Sequence, residues 1–311
     1  MLKQLVWRLG QAAFVIFAVG ILTFVLVQAL PGDMAWRIAS GRYGYDRVDL
    51  AAVTRVQQQL TDFSAQGNAL WHWMWDLLRF DFGRSLVSGE PVSSKLGWQL
   101  TQTLALAGVA LLMMLILIIP AGVWAGCRPG GVIDRLINVL APTFKSIPHF
   151  ALGLLLIMLF SLRLNWLPSA GHGEGQHVIL PALTLALTLS AVGARVVCEA
   201  TCQAVKAGWY RWGAQKGLSA PHLFLRHGLR NLSVPVVTWI GMQFVWLVEG
   251  VVVIETLFAW PGVGHALVHA IFARDVPVIQ ASAVVLGLTF VTLNMLVDGV
   301  CYVLDPRGKR V

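Results

Sequence analysis

Few ionisable side chains lie within the apolar segments of this sequence. Glu249 and Asp298 fall inside such segments, and further candidates fall near their ends, namely His149, Glu199 and Glu255. A carboxyl group at bilayer depth costs about 2.5 to 3.5 kcal/mol, so it should face a protein interior, a partner or water. Glu249 therefore has two interpretations: a group that meets a cationic part of a cargo, or a protonated, hydrogen-bonded carboxyl between helices. For Asp298 the second is favoured.

Two pairs of histidines could bind a metal if their segments converge. His265 and His269 are spaced i, i+4, while His172 and His177 flank an acidic residue. Zinc-type sites use three or four protein ligands, and neither pair reaches that number. We therefore predict no metal site, and favour ordinary histidines at a membrane interface.

Motifs for common enzymes are absent from the sequence. It contains no G-x-x-x-x-G-K-[ST] phosphate loop, no H-E-x-x-H, no C-x-x-C and no G-x-S-x-G. The chain therefore has no standard ATP cradle and no easily read protease, zinc or hydrolase centre. We predict no catalytic residue and no cofactor bound by this chain.

The composition indicates which elements must position these residues. Of the 311 residues, 57% are hydrophobic and 12% are charged, about half the charged fraction of a typical soluble domain. A crossing helix needs about 20 mostly apolar residues. We predict an all-α polytopic membrane fold with six transmembrane helices, over about Leu9 to Leu30, Thr101 to Gly126, Val139 to Leu162, Val178 to Val197, Val234 to Phe258 and Val278 to Leu304.

The distribution of charge orients these helices. Lys3 and Arg8 precede the first apolar segment, which is longer than the roughly 7 to 15 residues of a signal peptide core, so we predict a retained helix. With the N-terminus cytoplasmic, most of the 23 Lys and Arg residues lie in inner segments, as the positive-inside rule requires. Both termini are therefore predicted to be cytoplasmic. The net charge of +8 then reflects topology, and no nucleic-acid partner is expected.

The inner segment between the fourth and fifth apolar stretches carries three blocks of residues, from Trp209 to Leu218, from Arg226 to Asn231 and from Pro235 to Thr238. These blocks resemble the coupling loop of ABC-importer permeases of the dipeptide, oligopeptide and nickel family. Other blocks agree in order and spacing along nearly the whole chain: Ala29 to Asp33, Asp81 to Ser85, Gly89 to Val92, Ser146 to Pro148, Trp166 to Pro168, Glu255 to Gly264 and Asp305 to Arg307.

The resemblance implies the type I ABC importer transmembrane fold. Residues 1–97 would form an N-terminal helix and a periplasmic segment, 98–304 the permease core with its coupling loop at about 206–232, and 305–311 a cytoplasmic tail. Gly217 permits a turn closed to larger residues, and Leu223, Phe224 and His227 are predicted to project from one helix face into another protein. The full set assigned to coupling is Arg211, Gly213, Ala214, Lys216, Gly217, Leu218, Leu223, Phe224, His227 and Arg230.

The resemblance also implies partners in a bacterial inner membrane. These are a second, homologous permease subunit, two ATPase subunits that hold ATP and Mg, a periplasmic or lipid-anchored solute-binding protein, and membrane lipid. Peptides, nickel and opine-metallophore complexes all remain open as cargo. Glu249 and His149 depart from the small residues expected there, so both are assigned to the translocation path. An ATP-independent secondary transporter or channel is the alternative, although no inverted repeat or set of midplane charge pairs supports it.

Overall fold

A computed structural model describes residues 2–29, 33–44, 46, 48–64, 75–76, 79–173 and 175–304. In these residues the regular elements are helices, and the single β-bridge is an isolated contact between Arg84 and Pro91. The all-α class predicted from the composition is therefore confirmed for this part of the chain. The predicted tail, 305–311, lies outside the described residues.

The helices follow the predicted apolar segments, with shorter helices between them. They are α1 (Leu2–Ala29), α2 (Met34–Tyr43), α3 (Leu50–Ser64), α4 (Val92–Cys127), α5 (Val132–Ser146), α6 (His149–Leu156), α7 (Ile179–Lys206), α8 (Gly208–Gln215), α9 (Ala220–Leu223), α10 (Leu229–Leu257), α11 (Val263–Ala273) and α12 (Val276–Leu304). A π-helix, Ile157–Arg163, continues α6, and a 3-10 turn, Gly175–Val178, leads into α7.

Three stretches of the described residues are long and apolar enough to cross a membrane: Val92–Cys127, Gly175–Lys206 and Val276–Cys301. The bent pair formed by α5 with α6 and its π-helical continuation raises this number to four. Backbone helices α1 and α10 coincide with the first and fifth predicted spans, but some of their side chains lie outside the described part. The multi-pass architecture is thus supported, while the count of six stays a prediction.

The third predicted span is not one straight helix. Residues Val132–Ser146 and His149–Arg163 meet at an angle of 105°. Pro148 causes this break, because a residue before proline is driven away from the α-helical region. Ile147 accordingly has φ −87° and ψ 122°, an extended conformation that ends α5. The expectation of a continuous helix from Val139 to Leu162 was therefore wrong.

The chain divides into two compact units. Unit 1 comprises residues 1–103 and 261–291, and unit 2 comprises residues 104–260 and 292–311. The predicted boundary between residues 97 and 98 falls within α4, which is continuous. As a functional division, 1–97 against 98–304 stays a prediction.

Unit 1 contains three small apolar clusters, the smallest of which pairs Ala270 with Ile279. Buried alanine and isoleucine side chains of α2 pack against Val56 of α3. In the second cluster, Val92 and Leu96 at the start of α4 pack against Val263 and Ala281. The hydroxyl of Thr103 accepts a hydrogen bond from the Val263 N–H at 3.0 Å, which satisfies one free donor at the first turn of α11. Polar contacts thus fix where α11 begins.

A buried aspartate joins two distant segments of unit 1. Asp275 is 4% exposed and accepts hydrogen bonds from the Ser85 hydroxyl, from the Leu86 N–H at 3.0 Å and from the Val87 N–H at 3.4 Å. These donors belong to the loop before α4, whereas Asp275 directly precedes α12. Because three donors converge on one buried carboxylate, this residue holds the loop in place.

Replacing Asp275 by alanine is expected to loosen this loop. The substitution removes the acceptor of the Leu86 N–H and of the Ser85 hydroxyl, at about 1 to 3 kcal/mol for each buried group. The Val87 N–H keeps the Ser85 hydroxyl oxygen as an acceptor, at 3.2 Å. We expect trypsin to cleave after Arg84 at least several-fold faster in Asp275→Ala than in the wild type. The control is Asp81→Ala, because the exposed Asp81 carboxylate accepts only a local bond, 3.0 Å from the Gly83 N–H. Equal cleavage rates in both variants would contradict the prediction.

In unit 2, α7 is the most deeply packed of the long apolar helices. Of its most apolar window 56% is buried, against 28% for α4. Two apolar clusters surround it, one near Leu180 and Leu185 and one near Val197. The lower burial of α4 leaves more of its surface for lipid or for partner helices.

Close approach between helices of unit 2 depends on glycine. A Cβ on Gly122 of α4 would lie 2.7 Å from the Ala194 carbonyl oxygen of α7, and one on Gly126 would lie 2.6 Å from the Cys198 carbonyl oxygen. The pair forms a G-x-x-x-G pattern, which lets two membrane helices approach closely. Gly193 of α7 similarly leaves room for the Trp239 ring of α10.

Candidate coupling segment and translocation path

The segment predicted to couple the chain to a motor connects α7 to α10. α7 ends at Lys206 because Ala207 is extended, with φ −65° and ψ 148°, and α8 begins directly after it. Residues 206–232 carry five basic side chains and no acidic one. The segment is therefore a short helical hairpin with one sign of charge.

The end of α8 is fixed by Gly217. This residue has φ +80°, a left-handed conformation that side chains rarely adopt. The Gly217 N–H donates to the Ala214 carbonyl at 3.0 Å, and the Leu218 N–H donates to the Gly213 carbonyl at 3.2 Å. These two bonds form a Schellman motif, the common glycine-terminated helix end. The turn that the resemblance implied at Gly217 is present.

A glycine-leucine contact holds α8 against α9. Gly213 is buried, and Leu223 of α9 is only 2% exposed. A Cβ on Gly213 would collide with the Leu223 side chain. The expectation that Leu223 projects outward was therefore wrong, because this side chain fills the hairpin's own interior.

Most of the other predicted coupling residues are accessible. Phe224 is half-buried, and the exposed residues are Arg211, Ala214, Lys216, Leu218 and His227. The His227 ring lies against Trp209 of α8, with ring centroids 6.4 Å apart. Arg230 lies on α10, and its side chain is outside the described part. The hairpin thus presents basic and apolar groups together on its surface.

The hairpin continues directly into α10. A π-helical turn, Phe224–Gly228, follows α9, and both Gly228 and Leu229 have right-handed helical dihedral angles. The Leu229 N–H donates to the Phe224 carbonyl, the i to i−5 bond that defines a π-turn. Helical backbone therefore runs from Ala220 to Leu257 without a break, whereas the sequence analysis began the fifth span at Val234.

His149, predicted to line a path, occupies the first position of α6. Its Nδ1 atom is buried and has no hydrogen-bond partner among the described residues. The ring approaches α10: a Cβ on Gly250 would lie 3.9 Å from His149 Cδ2. The side chain of the neighbouring Glu249 lies outside the described part. The structure therefore brings His149 to the backbone beside Glu249.

Comparison with known proteins identifies the class of this chain. The family described as "Binding-protein-dependent transport system inner membrane component" matches residues 118–310. The chain is also 36% identical, over 306 residues, to proteins named "Glutathione transport system permease protein GsiC" from Escherichia coli, Shigella dysenteriae and Shigella boydii. Each match covers 98% of both chains.

The chain belongs to this permease family. It is a multi-pass inner-membrane permease component and not an enzyme, in agreement with the sequence analysis. The matched region includes the hairpin and most of unit 2, so the features described above belong to the permease domain.

The burial of one carboxyl group of the permease became evident only from the structure. Glu255 lies in the last turn of α10 and was expected near a span end. It is completely buried, at 0% exposure. Its backbone carbonyl accepts the Trp260 N–H at 2.8 Å, which helps to end the helix. A sequence signal existed, because the residue lies within the mostly apolar stretch from Val251 to Phe258.

Proposed function

We propose that this permease forms half of the translocation path of an ATP-driven importer for small peptides of the glutathione type. The observation that carries this proposal is the match to glutathione permeases over 98% of both chains. The match extends over 306 residues, so the similarity is not restricted to one motif. Nickel and metal-chelate cargo are competing outcomes of the test.

Coupling to separate ATPase subunits is proposed for residues 206–232. The support is the hairpin, in which Gly213 and Leu223 pack internally while Arg211, Lys216 and His227 face outward. A displacement of this hairpin would pass into α10, because helical backbone continues through the π-turn. Such a rigid connection suits alternating access, in which closure of the motor tilts the attached helices.

The remaining subunits follow from this role. A second, related permease would complete the path, two ATPase subunits would bind ATP and Mg, and a solute-binding protein would deliver the cargo from outside. The hairpin must then face the cytoplasm, as must both termini. The excess of basic residues in the segment agrees with that side of the membrane.

Reconstitution with partners tests the proposal directly. The permease, its companion permease and the ATPase subunits are placed in liposomes, with the binding protein outside, and uptake of labelled glutathione, a dipeptide and nickel is measured. We expect ATP-dependent uptake of glutathione, which stops when the ATPase is inactivated. Flux through this chain alone would instead establish a secondary carrier, and uptake restricted to nickel would overturn the peptide assignment.

Glu249→Gln tests whether this carboxylate meets the cargo. A charge-assisted hydrogen bond contributes about 1.5 to 3 kcal/mol, so its loss should raise the KM for uptake roughly ten- to hundredfold. Membrane abundance should not change. Asp298→Asn, an exposed acid of α12 for which no path role is proposed, is the control. Normal uptake by Glu249→Gln at limiting substrate would remove Glu249 from the path.

A further inference from the structure

Unit 1 contains a cavity that the proposed function does not use. Its volume is about 320 Å³, within the range of small-ligand sites. Residues before and within the start of α4 form one side, and α11 with the residues after it forms the other. The charged and polar side chains that line it include Glu90, Lys95, Gln99, His265 and His269.

Two histidines of α11 lie together in this cavity. The ring centroids of His265 and His269 are 4.5 Å apart, and the ring planes meet at 68°. An imidazole bound at about 2.0 to 2.1 Å from a zinc-type ion has its ring centre about 3 Å from the ion, so two such rings lie roughly 4.5 to 5 Å apart. The observed separation therefore allows both rings to reach one ion.

The pair is open to solvent on one side. His265 is half-buried, and an imidazole donates a lone pair to a metal from its unprotonated ring nitrogen. His269 is exposed, which gives an ion access from solvent.

We propose that His265 and His269 form a two-imidazole site for a divalent late transition-metal ion such as Zn²⁺ or Ni²⁺. The described residues contain no group of three or more His, Cys, Asp or Glu that could hold an ion. The protein thus supplies two ligands, and water or a small chelator in the cavity supplies the others. This proposal replaces the prediction of no metal site, which counted protein ligands alone. Imidazole selects these ions over Mg²⁺, which prefers oxygen ligands.

A polar side chain of α4 lies in the wall opposite the histidines. Gln99 is 8% exposed and lines the cavity. Its amide can donate to, or accept from, a water molecule or chelator bound to the ion. Asp275, by contrast, is occupied by the three donors of the Ser85 loop.

Titration of the assembled permease complex tests the site. Zn²⁺, Ni²⁺ and Mg²⁺ are titrated in separate calorimetric experiments into the complex in lipid nanodiscs without nucleotide. We expect His265→Gln and His269→Gln each to weaken one Zn²⁺ and Ni²⁺ site at least about tenfold, with no effect for Mg²⁺. His222→Gln, an exposed histidine of α9, should change nothing. Unchanged affinity and stoichiometry in both cavity variants would overturn the proposal.

A spectroscopic count of ligands removes the ambiguity of a misfolded variant. Electron paramagnetic resonance of bound Cu²⁺ should show two coordinating nitrogens from the cavity in the wild-type complex and one in His269→Gln. His269→Cys should restore Zn²⁺ affinity under reducing conditions, since a thiolate is also a zinc ligand. A Cu²⁺ signal that is identical in wild type and His269→Gln, or a cysteine variant as weak as the glutamine variant, would refute the site.

Discussion

Replacing Gly122 or Gly126 by leucine is expected to remove most of the folded permease from the membrane. At each position the first added carbon would lie 2.6 to 2.7 Å from a carbonyl oxygen of α7. A backbone carbonyl in a packed helix cannot move aside as a side-chain end can, so α4 and α7 must separate. Overpacking costs about 1 to 3 kcal/mol even where side chains can adjust, and each 1 to 2 kcal/mol changes the folded-to-unfolded ratio about 5- to 30-fold.

Gly108→Leu provides the matched control for these variants. Gly108 lies on the same helix, but a Cβ there would meet nothing within 4 Å. Membrane abundance and thermal unfolding of the detergent-solubilised complex are the measurements. We expect Gly108→Leu to behave like the wild type, and Gly122→Leu and Gly126→Leu to show greatly reduced abundance. If all three variants were equally abundant, glycine would not determine the α4 to α7 contact.

The second large effect is expected from Gly213→Val. Its side chain would collide with Leu223, which is already 2% exposed, so α8 would be forced away from α9. Loss of the hairpin should disconnect uptake from ATP hydrolysis. We expect uptake to fall at least about tenfold, the factor that corresponds to 1.4 kcal/mol, while the partner ATPases retain basal activity.

A compensating substitution at Leu223 distinguishes a defect of the hairpin from general misfolding of the permease. Leu223→Ala removes the atoms that a Cβ on residue 213 would strike, so Gly213→Ala combined with Leu223→Ala should transport better than Gly213→Ala alone. Such non-additivity is expected for residues in contact. Gly208→Ala, at an open position of the same helix, is the control. A double variant no better than the single one would show that Gly213 acts through another contact.

The hairpin shows which structural features the sequence pattern predicts and which it does not. Gly217 was correctly expected at a turn, because a left-handed residue after a helix is most often glycine. Leu223 was assigned to a partner, because an apolar residue in a short inner helix has the same sequence signature whether it faces another protein or its own neighbour. Only the position of Gly213 opposite it distinguishes these cases.

The proposed translocation path shows a second limit of prediction from sequence. The rarity of ionisable residues in apolar stretches drew attention to His149 and Glu249, since burying such groups is costly. The contact between His149 and the backbone at Gly250 joins residues about a hundred positions apart in the chain. No local periodicity encodes such a contact, because it depends on how α6 turns after Pro148.

The sequence by itself determined the helical membrane class, the positions of most helices and membership of the permease family. These properties depend on apolar length, charge distribution and ordered motifs, all of which are local. The tertiary structure decided the 105° break before α6 and the inward position of Leu223. It also decided that Asp275 accepts hydrogen bonds from the loop at Ser85, and that His265 and Gln99 line one cavity. The reason is physical: each of these depends on which surfaces pack together, and packing joins residues that are distant in sequence.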